Sequence, residues 1–318
     1  MKRAISILSS LLLLIACTPY GVTKVNLDKA FRQKTAAKDL YARVDVLPLL
    51  LPETVRLPEN SRLEVTDNLV LLLDASGEQI VVMDADGAFV TQVDAGAPIT
   101  DFSACGKLLD ILCGNEVKEY NLQDFSLTRT LSLPTDGVTL TELQRRDDEV
   151  LLFSGFNGES AYDCEYFVSR DHFSVMKNPV YKAEDYDGGG FFRCNDSTFF
   201  FCRPGKINAY TSDDFIYPFL LPDFGRHNPV VTQVQMTPSH IFMQLCLQKG
   251  DALLVYDRAG KQHRLIRTTT EGLAFPLGVI HKGVNYFCCP ARHLGSYVLP
   301  EDMTVPENTE YILLKYTL

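Results

Sequence analysis

One short pattern recurs along most of this chain: an alternating apolar run, often with an aromatic, followed by a polar turn. It is read in "QIVVMDADG" at Met83, "EVKEYNLQD" at Tyr120, "CEYFVSRD" at Val168, "KINAYTSDD" at Tyr210, "ALLVYDRAG" at Tyr256 and "YILLKYTL" at Tyr316. Successive anchors lie 37, 48, 42, 46 and 60 residues apart. Helical periodicity is almost absent after residue 40, so the chain reads as all-β. Strand-built units recurring every ~40–50 residues are the signature of a β-propeller. A two-sheet sandwich would not need six similar hairpins in series.

Each unit divides into four antiparallel strands. In the second they are Ile99–Ser103, Leu108–Leu112, Glu116–Tyr120 and Ser126–Leu133. In the fifth they are Val231–Met236, Ile241–Cys246, Ala252–Tyr256 and Gln262–Ile266. Six anchors predict a six-bladed β-propeller over residues 40–318, about 46 residues per blade. The sixth unit offers only Leu277–His281, Val284–Cys289 and Tyr311–Tyr316 before the chain stops. An unpaired edge on "YILLKY" would template aggregation. The segment Leu40–Pro48, "LYARVDVLP", alternates like a strand and has no partner of its own. The two are expected to pair and close the last blade.

The chain opens "MKRAISILSSLLLLIACTPY". Lys2 and Arg3 precede an apolar run too short to span a bilayer, which ends in "LIAC". This resembles a bacterial lipobox, in which the cysteine thiol takes a lipid and becomes the first mature residue. Residues 1–16 are expected to be a signal peptide, Cys17 the lipidation site and 17–39 a polar tether with one short helix, Leu27 to Leu40. Lipid then holds the domain to a membrane surface. "CTPYG" has no acidic residue beside Cys17, which points to the outer membrane, facing the periplasm.

Lipobox, short tether, "RVDVLPLLLPE" before the first blade, hairpins of the "VVMDADGAFV" type and a terminal "ILLKYTL" together resemble the six-bladed β-propeller lipoproteins of the Bacteroides type. The resemblance implies a propeller fold and little chemistry. Many members carry a Pro-Gly-Glu link between the first two blades; here "VDAGAPITDF" keeps Gly96 and Pro98 only.

Removing Lys2 and Arg3 leaves 28 basic residues against 40 acidic, a net charge of −12. Such a surface repels phosphate backbones and argues against nucleic-acid partners. Eight cysteines remain after Cys17, with no C-x-x-C pair. Cys105/Cys113 and Cys194/Cys202 share one spacing, but the turn at 195–197 would set Cys194 opposite Thr198, so buried free thiols are expected.

Antiparallel topology sorts the loops by face. Short turns at 66–68, 106–107, 195–197, 237–239, 257–261 and 282–283 fall on one; long loops at 154–163, 178–190, 222–230 and 290–309 fall on the other. The long loops carry Phe156, Tyr162, Tyr181, Tyr186, Arg226, His227, His293 and Tyr297. Aromatic and charged side chains on loops of a rigid scaffold suit partner contact. With no tryptophan in the chain, stacking on a sugar would fall to Tyr and Phe.

No metalloprotease, nucleophile-elbow or P-loop motif is present. "DADG" 84–87 and "DYDG" 185–188 begin like calcium loops but lack the later ligands, and Asp-Gly turns are routine in hairpins. The six histidines, 172, 227, 240, 263, 281 and 293, are expected on the surface or in the central tunnel. Inner strands offer Asp101, Glu142, Arg193 and Gln233, a thin and mixed set for an axial site. The expectation is a monomeric binding or scaffold protein for a glycan, peptide or envelope protein, with no cofactor, no metal and no catalytic residue. The alternative is a propeller hydrolase or lyase with an axial divalent metal.

Overall fold

Nearly continuous apolar runs such as "LVLLL" 69–73 and "IVVM" 80–83 demand burial on both sides of a strand. The computed structural model provides it. The structure describes residues 25–30, 35–36, 39–135, 137–158, 160–175, 181–182, 189–194, 197–202, 206–210, 216–220, 224, 229–248, 250–267, 275–297, 299 and 305–318. After a short helix α1 (Leu27–Ala30) and strand β1 (Arg43–Pro48), the described strands assort into six antiparallel sheets.

Sheet one is β2 (Leu63–Val65), β3 (Leu69–Leu73), β4 (Gln79–Asp84) and β5 (Phe89–Asp94). Sheet two is β6 (Asp101–Cys105), β7 (Leu108–Cys113), β8 (Glu116–Asn121) and β9 (Leu127–Ser132). Sheet three is β10 (Thr139–Arg145), β11 (Val150–Phe156), β12 (Ser160–Phe167) and β13 (His172–Val175), with β14 (Tyr181–Lys182) added on β12. Sheet four is β15 (Gly189–Cys194), β16 (Ser197–Cys202), β17 (Lys206–Tyr210) and β18 (Ile216–Leu220). Sheet five is β19 (Val230–Met236), β20 (His240–Leu247), β21 (Gly250–Asp257) and β22 (Gln262–Ile266). The last is β23 (Val279–His281), β24 (Val284–Pro290) and β25 (Tyr311–Thr317), completed by β1. This is an all-β propeller of four-stranded antiparallel blades. The first strands β2, β6, β10, β15, β19 and β23 meet one another in turn, and β23 returns to β2.

Five of the six sequence anchors stand on the third strand of their sheet, and Val168 follows the end of β12 by one residue. Where their side chains are described, third strands are buried on both faces, which is why they carry the strongest pattern. Within sheet one, Leu71, Ile80 and Val82 pack toward Phe102, Leu109 and Ile111 of sheet two. Their neighbours Val70, Leu72, Val81 and Met83 pack the other way, onto Cys288 and Leu313 of the last sheet. One-residue alternation therefore serves two cores.

β1 pairs with β25 as expected, Val44 opposite Tyr316 and Pro48 opposite Ile312. The stretch before it departs from expectation. Among the described residues the helix covers only Leu27–Ala30, and it is no free tether. Val25 and Leu27 are buried against a core containing Phe199, Phe224 and Leu265. Two aliphatic side chains in an otherwise polar stretch find the apolar rim.

The thiol and loop expectations also shift. Cys194 lies opposite Ser197, one position from the expected Thr198, and Cys202 opposite Gly189. Seven described cysteines are free, of which Cys164, Cys194, Cys288 and Cys289 are buried, Cys105 and Cys113 half-buried and Cys246 exposed. Residues 154–163 are mostly strand: β11 runs through Phe156, and Gly155 pairs with Tyr162 across a tight turn. Aromatic, strand-forming residues on both sides extend the ladder into the expected loop.

Candidate functional site

Inner strands alternate side chains between the axis and the neighbouring layers, so polar residues two apart line the centre. Many of them stitch adjacent sheets. Asp101 Oδ2 accepts from the Leu143 amide at 2.8 Å, and Ser103 Oγ accepts from the Arg145 amide at 3.1 Å. Gln233 Nε2 donates to the Gly278 carbonyl at 2.9 Å, and Gln235 Oε1 accepts from the Ile280 amide at 3.1 Å. Gly278 must be glycine: a Cβ there would lie 1.8 Å from the Tyr286 carbonyl oxygen. Its amide donates to Asn285 Oδ1 at 2.8 Å, and Asn285 Nδ2 donates to the Pro276 carbonyl, so a fully buried amide fixes the entry to the last sheet.

Arg62 sits between two chambers and lines both. Its Nε donates to Asp101 at 3.0 Å, one Nη to Glu64 at 2.8 Å and the other to the Leu63 carbonyl at 2.7 Å, while the guanidinium lies over Phe102. So Asp101 and Gln233, two of the four axial candidates, are engaged in structural contacts. Sequence reasoning missed Arg62, Glu64, Gln144 and Gln235. For Gln144 and Gln235 the available signal was their period-two spacing from Glu142 and Gln233; Arg62 and Glu64 had no recognised inner-strand neighbour to point to them.

The larger chamber, about 790 Å³, is a groove between sheets five and six on the face of the second-to-third turns. Thr232, Gln233, Gln244 and Asp251 give it polar groups; Phe275 and Tyr297 give it aromatic ones. Cys288 also lines it, but burial, with Cys289 adjacent, pushes that thiol up to about 12, so it is protonated and a poor nucleophile. The smaller chamber, about 600 Å³, opens among the first-to-second turns at Thr66–Asn68, Gly106 and Lys282. At its mouth Asp67 Oδ1 meets His281 Nε2 at 2.9 Å and Lys282 Nζ at 2.5 Å, joining sheet one to the last sheet. Those two hydrogen bonds, Lys282's first, hold the Asp67 carboxyl below its ordinary value.

The expected site residues separate into groups. Tyr297 lines the groove, its ring edge-on to Phe287 at 5.3 Å. His293 is half-buried in the 3-10 helix Ala291–Ser296 that follows β24. Exposed Phe156 and half-buried Tyr162, whose hydroxyl accepts from Asn157 Nδ2 at 3.0 Å, stand on sheet three, away from that groove. Tyr181 is placed on β14 by its backbone alone. Tyr186, Arg226, His227 and Cys17 lie outside the described residues, as do Asp185 and Asp187. Asp84 is a turn residue, its Oδ1 accepting from the Asp86 and Ala88 amides at 2.9 and 2.8 Å. Among the described residues no three His, Cys, Asp or Glu side chains converge as a metal site. No described helix is long and apolar enough to cross a membrane.

No family model and no curated protein matches the chain. Among solved structures, a Bacteroides fragilis protein described as exported is 15% identical, with TM-score 0.71, over 92% of this chain and 98% of that one. Virginiamycin B lyase of Staphylococcus aureus is 12% identical with TM-score 0.48, over 72% and 75% of the two chains. The first likeness establishes the propeller fold; the second is too loose to bear on chemistry.

Proposed function

We propose that this chain is a lipid-anchored protein of the cell envelope that acts by binding, its propeller presenting one face to a glycan, a peptide or an envelope protein. In this reading residues 1–16 are a signal peptide, Cys17 carries the lipid and the six sheets are the six blades of one ring. The groove between sheets five and six carries the reading. It has the size of a small-ligand or peptide site and combines amides, a carboxylate and aromatic rings, a set suited to recognition. The exported Bacteroides fragilis likeness agrees with an envelope address.

The test is crosslinking of the full chain in intact cells, comparing wild type with a Gln244→Ala/Tyr297→Ala double variant of unchanged melting temperature. A discrete crosslinked species present in wild type and lost in the variant is expected. Identical crosslinking profiles would reject this face as the binding surface.

A further inference from the structure

The smaller axial chamber is set apart by its charges. Arg62 is matched by Asp101 and Glu64, and Lys282 with His281 by Asp67. Arg193, on inner strand β15 and half-buried, faces the same chamber with neutral partners. One Nη donates to the Ala104 carbonyl at 3.3 Å. The Gln144 amide, turned so that its oxygen meets the guanidinium, accepts from Nη2 at 3.0 Å and Nε at 3.2 Å. That orientation is locked from behind, because the same oxygen accepts from Ser103 Oγ at 2.7 Å, which in turn accepts from the Arg145 amide. Among the described residues no carboxylate pairs with Arg193.

A guanidinium has five N–H donors, and three are used here. The other two, one on each Nη, are left with the full positive charge facing the chamber. Charges removed from bulk water are normally paired, and a planar two-donor edge matches the two oxygens of a carboxylate or phosphate. Gln235 lines the same chamber; its Oε1 is held by the Ile280 amide, which leaves its Nε2 as a further donor. The acidic balance of the chain makes an unmatched cation at the axis more pointed still.

We propose that the chamber behind the first-to-second turns binds a small oxyanion, a carboxylate or phosphate group seated on Arg193 and Gln235. This goes beyond the binding-face reading, because it uses the opposite mouth of the axis. The experiment is calorimetric titration of the full chain in a non-ionic detergent, at constant ionic strength in chloride, with inorganic phosphate in one arm and succinate in the other. Saturable one-to-one binding is expected in at least one arm, and which arm responds separates a phosphate source from a carboxylate source. Arg193→Gln should weaken it at least about tenfold, since it removes a charge-assisted pair. Gln144→Glu places a carboxylate where the amide oxygen meets Arg193 and should abolish binding while Arg193 remains, so one folded variant of the two suffices. No saturable binding in either arm, or wild-type affinity in either folded variant, would overturn the proposal. Identical crosslinking profiles for the groove variant would reject the binding-face reading and leave saturable anion binding as independent support for this one.

Discussion

Arg145 is among the largest side chains without solvent exposure in the described residues, and it lines neither chamber. From the end of β10 it reaches into sheet two, where Nε and Nη2 grip both oxygens of Asp110 and Nη2 also donates to Glu119 at 2.7 Å. Removing it strands the buried Asp110 carboxyl, while Glu119 keeps Arg129 and Thr128. Arg145→Ala should therefore cost about 3–5 kcal/mol, read from the urea midpoint; a loss under ~1 kcal/mol would mean water replaces the guanidinium. Glu119 adds a pH dependence. Burial pushes its carboxyl up, but hydrogen bonds from Arg129 and Thr128 and the charges of Arg129 and Arg145 outweigh this and hold it below the ordinary value. The unfolded chain then takes the proton first, so this stability is complete at neutral pH and fades as the pH falls through the ordinary glutamate range toward the folded value. Glu119→Gln should flatten the acid limb of melting temperature against pH; an unchanged acid limb would show that other carboxylates set it. None of this was legible in "QRRDDE" 144–149, where Arg145 and Arg146 look alike. Only strand parity sends one inward to Asp110 and leaves the other pairing with Asp147.

At the scale of elements the pattern was readable where both faces of a strand are buried and ambiguous where one is not. The four strands of sheets two and five stand within two residues of their expected bounds. Residues 154–163 misled because Gly155, Asn157 and Gly158 look like loop, while Phe156 and Tyr162 continue the ladder. The N-terminal helix misled the other way: nothing local announces that Val25 and Leu27 will meet Phe224 and Leu265 from much later in the chain. Deleting residues 25–30 would therefore expose core, not trim a tether. The closing strands make the strongest element-level prediction. β25 pairs with both β24 and β1, and Ile312, Leu313, Leu314 and Tyr316 are fully buried. Removing residues 310–318 deletes the third strand of a sheet and leaves two unpaired edges. Aggregation or global loss of the β signal is expected, and a soluble monomer with the original melting temperature would show that the ring holds without this seam.

For the whole molecule, the packing of α1 decides how an anchor at Cys17 would present the propeller. Val25 is already docked on the rim, beside the outermost strand of sheet five. Eight residue steps separate it from Cys17, and at ~3.3–3.6 Å per step they reach on the order of 30 Å at most. The domain would be held close to the bilayer by its rim, which leaves both mouths of the axis open to solutes and partners. The described core is built from Val25 onward, so in this reading the lipid would contribute location and no stability. Cys17→Ser should move the protein from the membrane fraction to the soluble one with its melting temperature unchanged. A multiply acylated cysteine holds stably where a single chain does not, so wild type should resist a high-salt wash. If Cys17→Ser floats with membranes after the same wash, the attachment lies in the folded domain, and an apolar or cationic patch on the rim becomes the place to look.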